Sequence, residues 1–218
     1  MTKNQLLVVL AAFFLAVGGL AAYLYMGGES GGAAGSGDGP GYTLEATDRV
    51  QGNRNAKVVF IEYAAPTCSH CAAFNETTYP LIKSNYIDTG KILYVFRVFP
   101  LNPADGAAEK VARCLPEDKY FQFIDLLFRN QTLWVGNDVH GGLVRLGRMA
   151  GLSADQVDKC IDNAAEDDRI NAVSAEGQRR YNVNATPTLI LNGTTINNAA
   201  PAELIKLIDA ELAKSSAP

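Results

Sequence analysis

An apolar stretch typical of a buried strand ends directly before two cysteines spaced as C-x-x-C. The stretch is AKVVFIEYAA, residues 56–65, and it is rich in β-branched and aromatic side chains. Cys68 and Cys71 follow it, and the pattern then changes to that of a helix that bends near Pro80. Residues 92–99, ILYVFRVF, are the next predicted strand. Strand, helix and strand at this spacing predict a βαβ unit with parallel neighbouring strands, and hence an α/β fold.

The stretch between residues 103 and 181 contains no strand-like run and has a helical pattern. It predicts a helical insertion of about 80 residues, at about 101–180, after the second strand of the unit. After the insertion, an Asn-Gly turn between two short β runs predicts a hairpin, and a helix closes the chain. The predicted helices are 104–114, 119–128, 142–150, 154–161, 167–181 and 201–214, and the hairpin strands are 188–191 and 194–196.

The first 26 residues carry the clearest targeting signal. Residues 6–26 contain no charged side chain over 21 positions, a length of roughly 31 Å as a helix, which spans the hydrocarbon core of a bilayer. Because Lys3 precedes this segment, the positive-inside rule keeps the N-terminus in the cytoplasm and exports the rest. The alternative is a cleaved signal peptide, with Gly19-Leu20-Ala21 as its cleavage site. Both alternatives predict a periplasmic or extracytoplasmic domain, and the first tethers it to the inner membrane.

The next segment, residues 27–41, has eight glycines in fifteen positions and predicts a flexible tether with a reach of about 20 Å. The predicted folded domain is then 42–218. The net charge of the chain is −4 and it has no basic run, which argues against nucleic acid as a partner. Outside the cytoplasm thiols pair and persist as disulfides, and four cysteines permit two bridges.

A lone C-x-x-C serves zinc sites, haem attachment and redox sites alike. Structural zinc uses two close ligand pairs, whereas Cys114 and Cys160 lie 46 residues apart and His140 is in a Gly-rich stretch that suggests a loop. Haem attachment needs a histidine after the second cysteine, where this chain has Ala72. These observations favour a redox dithiol without a metal or other cofactor. Binding of Cu(I) by the two soft thiolates, in a metallochaperone, stays as an alternative of a different class.

The position of the pair at a strand-to-helix junction gives the redox interpretation a physical basis. Cys68 lies in the first turn of the helix, where free backbone N–H groups and the helix dipole favour a thiolate, and His70 adds to this effect. Cys71, one turn later, is covered by the helix. Cys68 is therefore the predicted attacking sulfur and Cys71 the resolving one. A stabilised Cys68 thiolate favours the reduced form, which makes the oxidised form a disulfide donor.

Two further positions bear on this chemistry. Glu62 interrupts the apolar strand six residues before Cys68. If Glu62 is buried, its pKa is raised and it is able to relay protons to Cys71, whereas the alternative is a carboxylate that points to solvent. Thr186-Pro187 precedes the hairpin, and base rates alone favour a trans bond there.

The order of these elements, together with export, resembles that of the DsbA-like branch of the thioredoxin superfamily over nearly all of residues 42–218. The resemblance implies a thioredoxin fold in which Cys68-Ser69-His70-Cys71 is the dithiol that donates disulfides to reduced or unfolded exported proteins. It implies that Glu62 is a buried acid, and that Thr186-Pro187 is cis and docks the substrate backbone. It also implies a membrane redox partner that reoxidises the dithiol.

The chain departs from that family pattern at two positions. Well-known members have proline in place of Ser69, and many have valine in place of Thr186. A threonine at this position is more typical of isomerase and reductase relatives. An isomerase or reductase kept reduced by a membrane donor is therefore the alternative within the same chemistry. Cys114 and Cys160 both lie in the insertion, and an exported domain favours a structural disulfide between them, with similar bridges in some relatives. Closing this loop is expected to stabilise the fold by about 4 kcal/mol.

Overall fold

The computed structural model describes residues 38–39, 41–196 and 199–216. The predicted membrane segment, residues 6–26, lies outside the described residues, as does most of the predicted tether. Within the described part, no helix has the length and apolar character needed to span a membrane. The end of the predicted tether contributes to a two-stranded antiparallel pair, in which β1 (Asp38–Gly39) lies beside β2 (Tyr42–Thr43).

A five-stranded mixed sheet forms the centre of the fold. Its strands are β3 (Arg49–Gly52), β4 (Val59–Ala64), β5 (Leu93–Val98), β6 (Thr188–Leu191) and β7 (Thr194–Ile196). Their order in the sheet is β3-β5-β4-β6-β7, so β4 lies in the middle. β4 and β5 pair in parallel, as the βαβ pattern predicts, and the other pairings are antiparallel. The edge strand β3 was not predicted, because its residues are mostly polar.

Helices make up the connections between the strands. Between β4 and β5, Pro80 lies in the first turn of the second helix and accounts for the predicted bend. The described stretch between β5 and β6 is helical, as predicted. The helices are α1 (Ser69–Thr77), α2 (Tyr79–Ile82) with a π-helical turn (Lys83–Ile87), α3 (Pro103–Cys114), α4 (Glu117–Arg129), α5 (Gln131–Trp134), α6 (Val139–Met149), α7 (Ala154–Ile161), α8 (Ala164–Tyr181) and α9 (Pro201–Ser216).

His140 lies in helix α6, so its assignment to a Gly-rich loop was wrong. Asp138 caps this helix, with its Oδ1 accepting a hydrogen bond from the backbone N–H of Gly141 at 2.9 Å. Gly142 allows a close approach to α5, since a Cβ at this position would lie 2.4 Å from the Cα of Trp134. The glycines here serve helix capping and helix packing. A glycine-rich composition alone does not distinguish such a helix from a loop.

The two faces of the sheet carry separate hydrophobic cores. Ile61 and Tyr63 contribute to one core, and Phe60 and Ala64 to the other, which also contains Cys71 of α1. Because side chains alternate along a strand, Glu62 points to the same face as Cys71. All six side chains of β4 are buried. The strand is therefore buried on both faces. Its sequence does not alternate between apolar and polar residues, so the sequence alone does not show to which face Glu62 points.

A buried ionic network fixes the opposite face of the sheet. The Arg97 guanidinium of β5 bonds both carboxylate oxygens of Asp48, at 3.0 and 2.7 Å, and donates to the hydroxyl of Tyr63 at 2.8 Å. It also donates to the backbone carbonyl of Thr43 at 2.7 Å. A buried charge needs this degree of pairing. The network attaches the segment before β3 to the two central strands, away from the two thiols.

Cys114 and Cys160 form a disulfide that joins the end of α3 to α7. Their Cα atoms are 6.0 Å apart, which is ordinary for a disulfide. The other two cysteines, Cys68 and Cys71, are free thiols, so the structure represents the reduced dithiol.

Candidate active site

Cys68 is the N-cap residue of helix α1, at the junction after the central strand β4. Its Sγ accepts a hydrogen bond from the backbone N–H of Cys71 at 3.4 Å. Side-chain caps of this kind satisfy an N–H group that the helix itself leaves free. The residue is half-buried and so remains partly accessible. Local geometry therefore gives Cys68 both access to a partner and a donor directed at its sulfur.

Cys71 differs sharply from Cys68 although they are only three residues apart. Its side chain is 0% exposed, in the core between α1 and the sheet. Burial raises the pKa of the Cys71 thiol well above its ordinary value, and the negative charge of Glu62 raises it further. Cys71 is therefore a thiol at neutral pH. Its side chain is shielded from a bulky partner.

Glu62 is buried at 2% exposure in the middle of the sheet, which excludes the alternative of a solvent-facing carboxylate. Burial raises its pKa to about 7, and the hydrogen bond from Tyr94 partly opposes this increase. The Tyr94 hydroxyl donates to Oε2 at 2.6 Å, whereas Oε1 has no hydrogen-bond partner in the described structure. The carboxyl group is thus held through one oxygen and is able to gain or lose a proton near neutral pH.

Thr186 and Pro187 lie beside Cys68, although they are more than a hundred residues away in sequence. The bond between them is cis, as the family resemblance implies. The Thr186 carbonyl oxygen is 3.4 Å from the Cys68 Sγ and accepts a hydrogen bond from its thiol. The Thr186 hydroxyl is buried and interacts with the Cys71 thiol. Both residues are half-buried, so this segment is partly open to solvent beside Cys68.

The two residues between the cysteines, Ser69 and His70, are exposed in the first turn of α1. The His70 ring makes no hydrogen bond to any residue that the structure describes. An effect of His70 on Cys68 would therefore act through space.

The loop that carries Cys68 is held by side chains that the sequence did not indicate. Asp105, at the start of α3, is fully buried, and its Oδ1 accepts from the Thr67 backbone N–H at 2.7 Å. Asn102 caps the same helix, and its Nδ2 donates to the Thr67 hydroxyl at 2.8 Å. Gln131 of α5 donates to two carbonyls of the loop. The Asn-Pro-x-Asp pattern at 102–105 signals a capping box, but nothing local connects it to the cysteines.

No group of three or more metal-ligating side chains lies together in the described part of the chain. His140 bonds Asp158 at the surface, far in sequence from the dithiol.

Comparisons with known proteins agree with this arrangement. A family model described as Thioredoxin matches residues 44–210. The chain belongs to the thioredoxin family. This thioredoxin-family chain is 30% identical over 176 residues to a Rickettsia bellii protein named as a protein-disulfide oxidoreductase, and the match covers 80% of this chain and 68% of that protein. Across five Rickettsia relatives the chain spans about two thirds of their length, from 62% to 68%.

Two further comparisons place this thioredoxin-family chain near the DsbA proteins. It is 26% identical over 166 residues to disulfide bond formation protein D of Bacillus subtilis, covering 72% of this chain and 73% of that protein. The crystal structure of Wolbachia pipientis alpha-DsbA1 superposes with a TM-score of 0.71 at 27% identity, covering 79% of this chain and 94% of that one. The predicted DsbA-like fold is therefore confirmed for the described domain.

Proposed function

We propose that this chain donates disulfide bonds to exported proteins by exchange through Cys68 and Cys71. It is a thiol:disulfide oxidoreductase, in keeping with its family and with the names of its relatives. The observation that carries the proposal is the asymmetry of the dithiol. Cys68 is accessible and its sulfur accepts a backbone N–H, whereas Cys71 is buried and its pKa is raised. Such a pair separates the sulfur that meets the client from the sulfur that closes the bridge.

Exchange begins when a client thiolate attacks Cys68 in the oxidised chain. The Cys68–client bond forms as the Cys68–Cys71 bond breaks, and Cys71 leaves as a thiolate that takes a proton. The second client thiolate then attacks the client sulfur of the mixed disulfide, which forms the client disulfide and releases Cys68 as a thiolate. Two client thiols are oxidised and one protein disulfide is reduced. The Cys71 N–H and the start of α1 stabilise the departing Cys68 thiolate.

Glu62 is the proposed proton relay of this cycle. It lies on the face of the sheet that Cys71 occupies, and its pKa of about 7 lets it exchange a proton at neutral pH. It would protonate the departing Cys71 thiolate, and would take the proton back when the dithiol is reoxidised. Thr186 and Pro187, next to the Cys68 sulfur, are the proposed docking point for the client backbone. His70 is proposed to favour the Cys68 thiolate through its charge.

The proposed setting is extracytoplasmic. Residues 1–26 act as membrane anchor or signal peptide, residues 27–41 as linker, and residues 42–218 as the catalytic domain. The clients are reduced or unfolded exported proteins, and a membrane redox partner reoxidises the dithiol. The sequence of residues 6–26 supports this assignment, and the disulfide between Cys114 and Cys160 suits an oxidising compartment.

The redox equilibrium of the dithiol with glutathione tests the direction of the exchange. A disulfide donor is expected to have a potential closer to the value of about −120 mV for DsbA than to the value of about −270 mV for thioredoxin. A value near that of thioredoxin would instead favour the reductase or isomerase that Ser69 and Thr186 suggest. Tight, stoichiometric binding of Cu(I) without any exchange would favour a metallochaperone. The full chain, with Cys114–Cys160 intact, is the protein to use.

A further inference from the structure

Gln131 contacts the cysteine loop, the segment from Pro66 to Cys68 that leads into helix α1. This contact has no role in the proposed exchange steps. Its side-chain Nε2 donates to the carbonyl oxygen of Pro66 at 2.8 Å and to that of Cys68 at 3.0 Å. Both partners are carbonyls and only accept hydrogen bonds, so the NH₂ end of the amide must face the loop. A single amide group therefore bridges the peptide before Thr67 and the peptide of the attacking cysteine.

The Cys68 carbonyl determines how helix α1 begins. It accepts the first helical hydrogen bond, from Ala72 at 3.1 Å, in addition to the bond from Gln131. Cys68 itself has the extended backbone of an N-cap residue, with φ −75° and ψ 121°. The orientation of this peptide decides whether the Cys71 N–H points at the Cys68 sulfur, where the structure has it. A side chain that holds the carbonyl thus acts indirectly on the sulfur.

The support for Gln131 is rigid. It is the first residue of the short helix α5, which is held down by Trp134 through a fully buried indole. The indole N–H donates to the Leu127 carbonyl at 2.9 Å. On the other side, the close approach of Gly142 leaves no space for α5 to move toward α6. The amide therefore connects the cysteine loop to the packed centre of the helical insertion.

We propose that Gln131 is a positioning residue of the thiol:disulfide exchange, which holds the Cys68 peptide so that the Cys71 N–H faces the Cys68 sulfur. The proposal rests on the proposed function of the dithiol. A hydrogen bond to a thiolate stabilises the reduced form more than the disulfide form, because the disulfide carries no charge. Gln131 thereby contributes to the oxidising strength of the chain, although it touches neither sulfur.

The test compares Gln131→Met and Gln131→Ala with the wild-type full chain. Methionine has a similar length but no donor, and alanine removes the same donors with less bulk. The control is Asn130→Ala, because Asn130 lies at the same helix junction and its amide donates to the Leu126 carbonyl, away from the loop. Each protein is equilibrated with glutathione, the alkylation rate of Cys68 is measured at fixed pH, and folding is followed by thermal unfolding.

Both Gln131 variants are expected to lower the equilibrium constant for reduction of the Cys68–Cys71 disulfide by about tenfold, the effect of losing one charge-assisted hydrogen bond. Alkylation of Cys68 slows in parallel, and Asn130→Ala leaves both quantities at wild-type values. Folded Gln131 variants with the wild-type constant would overturn the proposal, as would an equal change in Asn130→Ala. A wild-type potential near that of thioredoxin would instead refute the donor function. The ratio of the variant and wild-type equilibrium constants would still test the role of Gln131 in that case.

Discussion

Replacing Glu62 with glutamine is expected to stabilise the reduced protein at pH 8 by about 3 kcal/mol and to leave its stability near pH 4 almost unchanged. The pKa of Glu62 is raised by burial from 4.5 to about 7. Between these two pH values, Glu62 keeps its proton in the folded chain and releases it in the unfolded chain. The free energy of unfolding of the wild type therefore falls as the pH rises through this window, and then levels off. At about 1.36 kcal/mol per pKa unit, the loss reaches about 3 kcal/mol.

Denaturant unfolding of the reduced Glu62→Gln variant and the wild type between pH 4 and pH 8 measures this effect. Tyr94→Phe is an informative companion, because it removes the hydrogen bond that lowers the pKa of Glu62. The fall in stability of Tyr94→Phe should be shifted to higher pH. A Glu62→Gln variant with the same pH dependence as the wild type would show that Glu62 is not the group that titrates.

The Glu62→Gln substitution is also expected to slow reoxidation of the dithiol at neutral pH by about 10²-fold, the usual contribution of a general base.

Replacing Cys71 with alanine is expected to stop exchange at the mixed disulfide, whereas replacing Cys68 with serine prevents the mixed disulfide from forming. The thiolate of Cys68 in the Cys71→Ala variant attacks a disulfide of an unfolded protein and releases one client thiol. Without Cys71, no sulfur of this chain attacks Cys68 to release the client. The only way back is attack by the freed client thiol, so the covalent complex persists once that thiol is alkylated. In Cys68→Ser the remaining thiol is fully buried and its pKa is raised, so it neither reaches a client nor ionises. The matched control is Cys114→Ala/Cys160→Ala, which keeps the dithiol intact and should turn over.

The parts of the fold that depend on local sequence patterns could be predicted. The strand β4, the cysteine pair at the start of α1, the parallel pairing with β5 and the hairpin after the helical insertion each have their own pattern, and the structure contains them. The polar edge strand β3 has no such pattern, because pairing with β5 rather than burial of its own side chains defines it. Gly141 and Gly142 of α6 gave a misleading signal, because they allow the cap by Asp138 and the close approach to α5.

Only part of the candidate site could be predicted from the sequence. The cysteine spacing located the dithiol, but the direction of Glu62 was open, since a strand buried on both faces has no alternation. Tyr94, Asp105 and Gln131 contact the site from distant parts of the chain. A tyrosine in a strand, an aspartate in a capping box and a glutamine at a helix start are all ordinary in their local settings. Only the tertiary fold brings them to the cysteine loop and to Glu62.

The central claim is that Cys68 alone forms the bond to the client, and that Cys71 forms and opens the disulfide with Cys68. The most direct measurement is to react the reduced Cys71→Ala full chain with an unfolded protein that contains one disulfide, and to identify the linked cysteine by mass spectrometry. The account predicts a complex joined through Cys68, released by reductant and absent when Cys68→Ser is used instead. A complex that forms equally well with Cys68→Ser, or a Cys71→Ala chain linked to the client through Cys114 or Cys160, would contradict it.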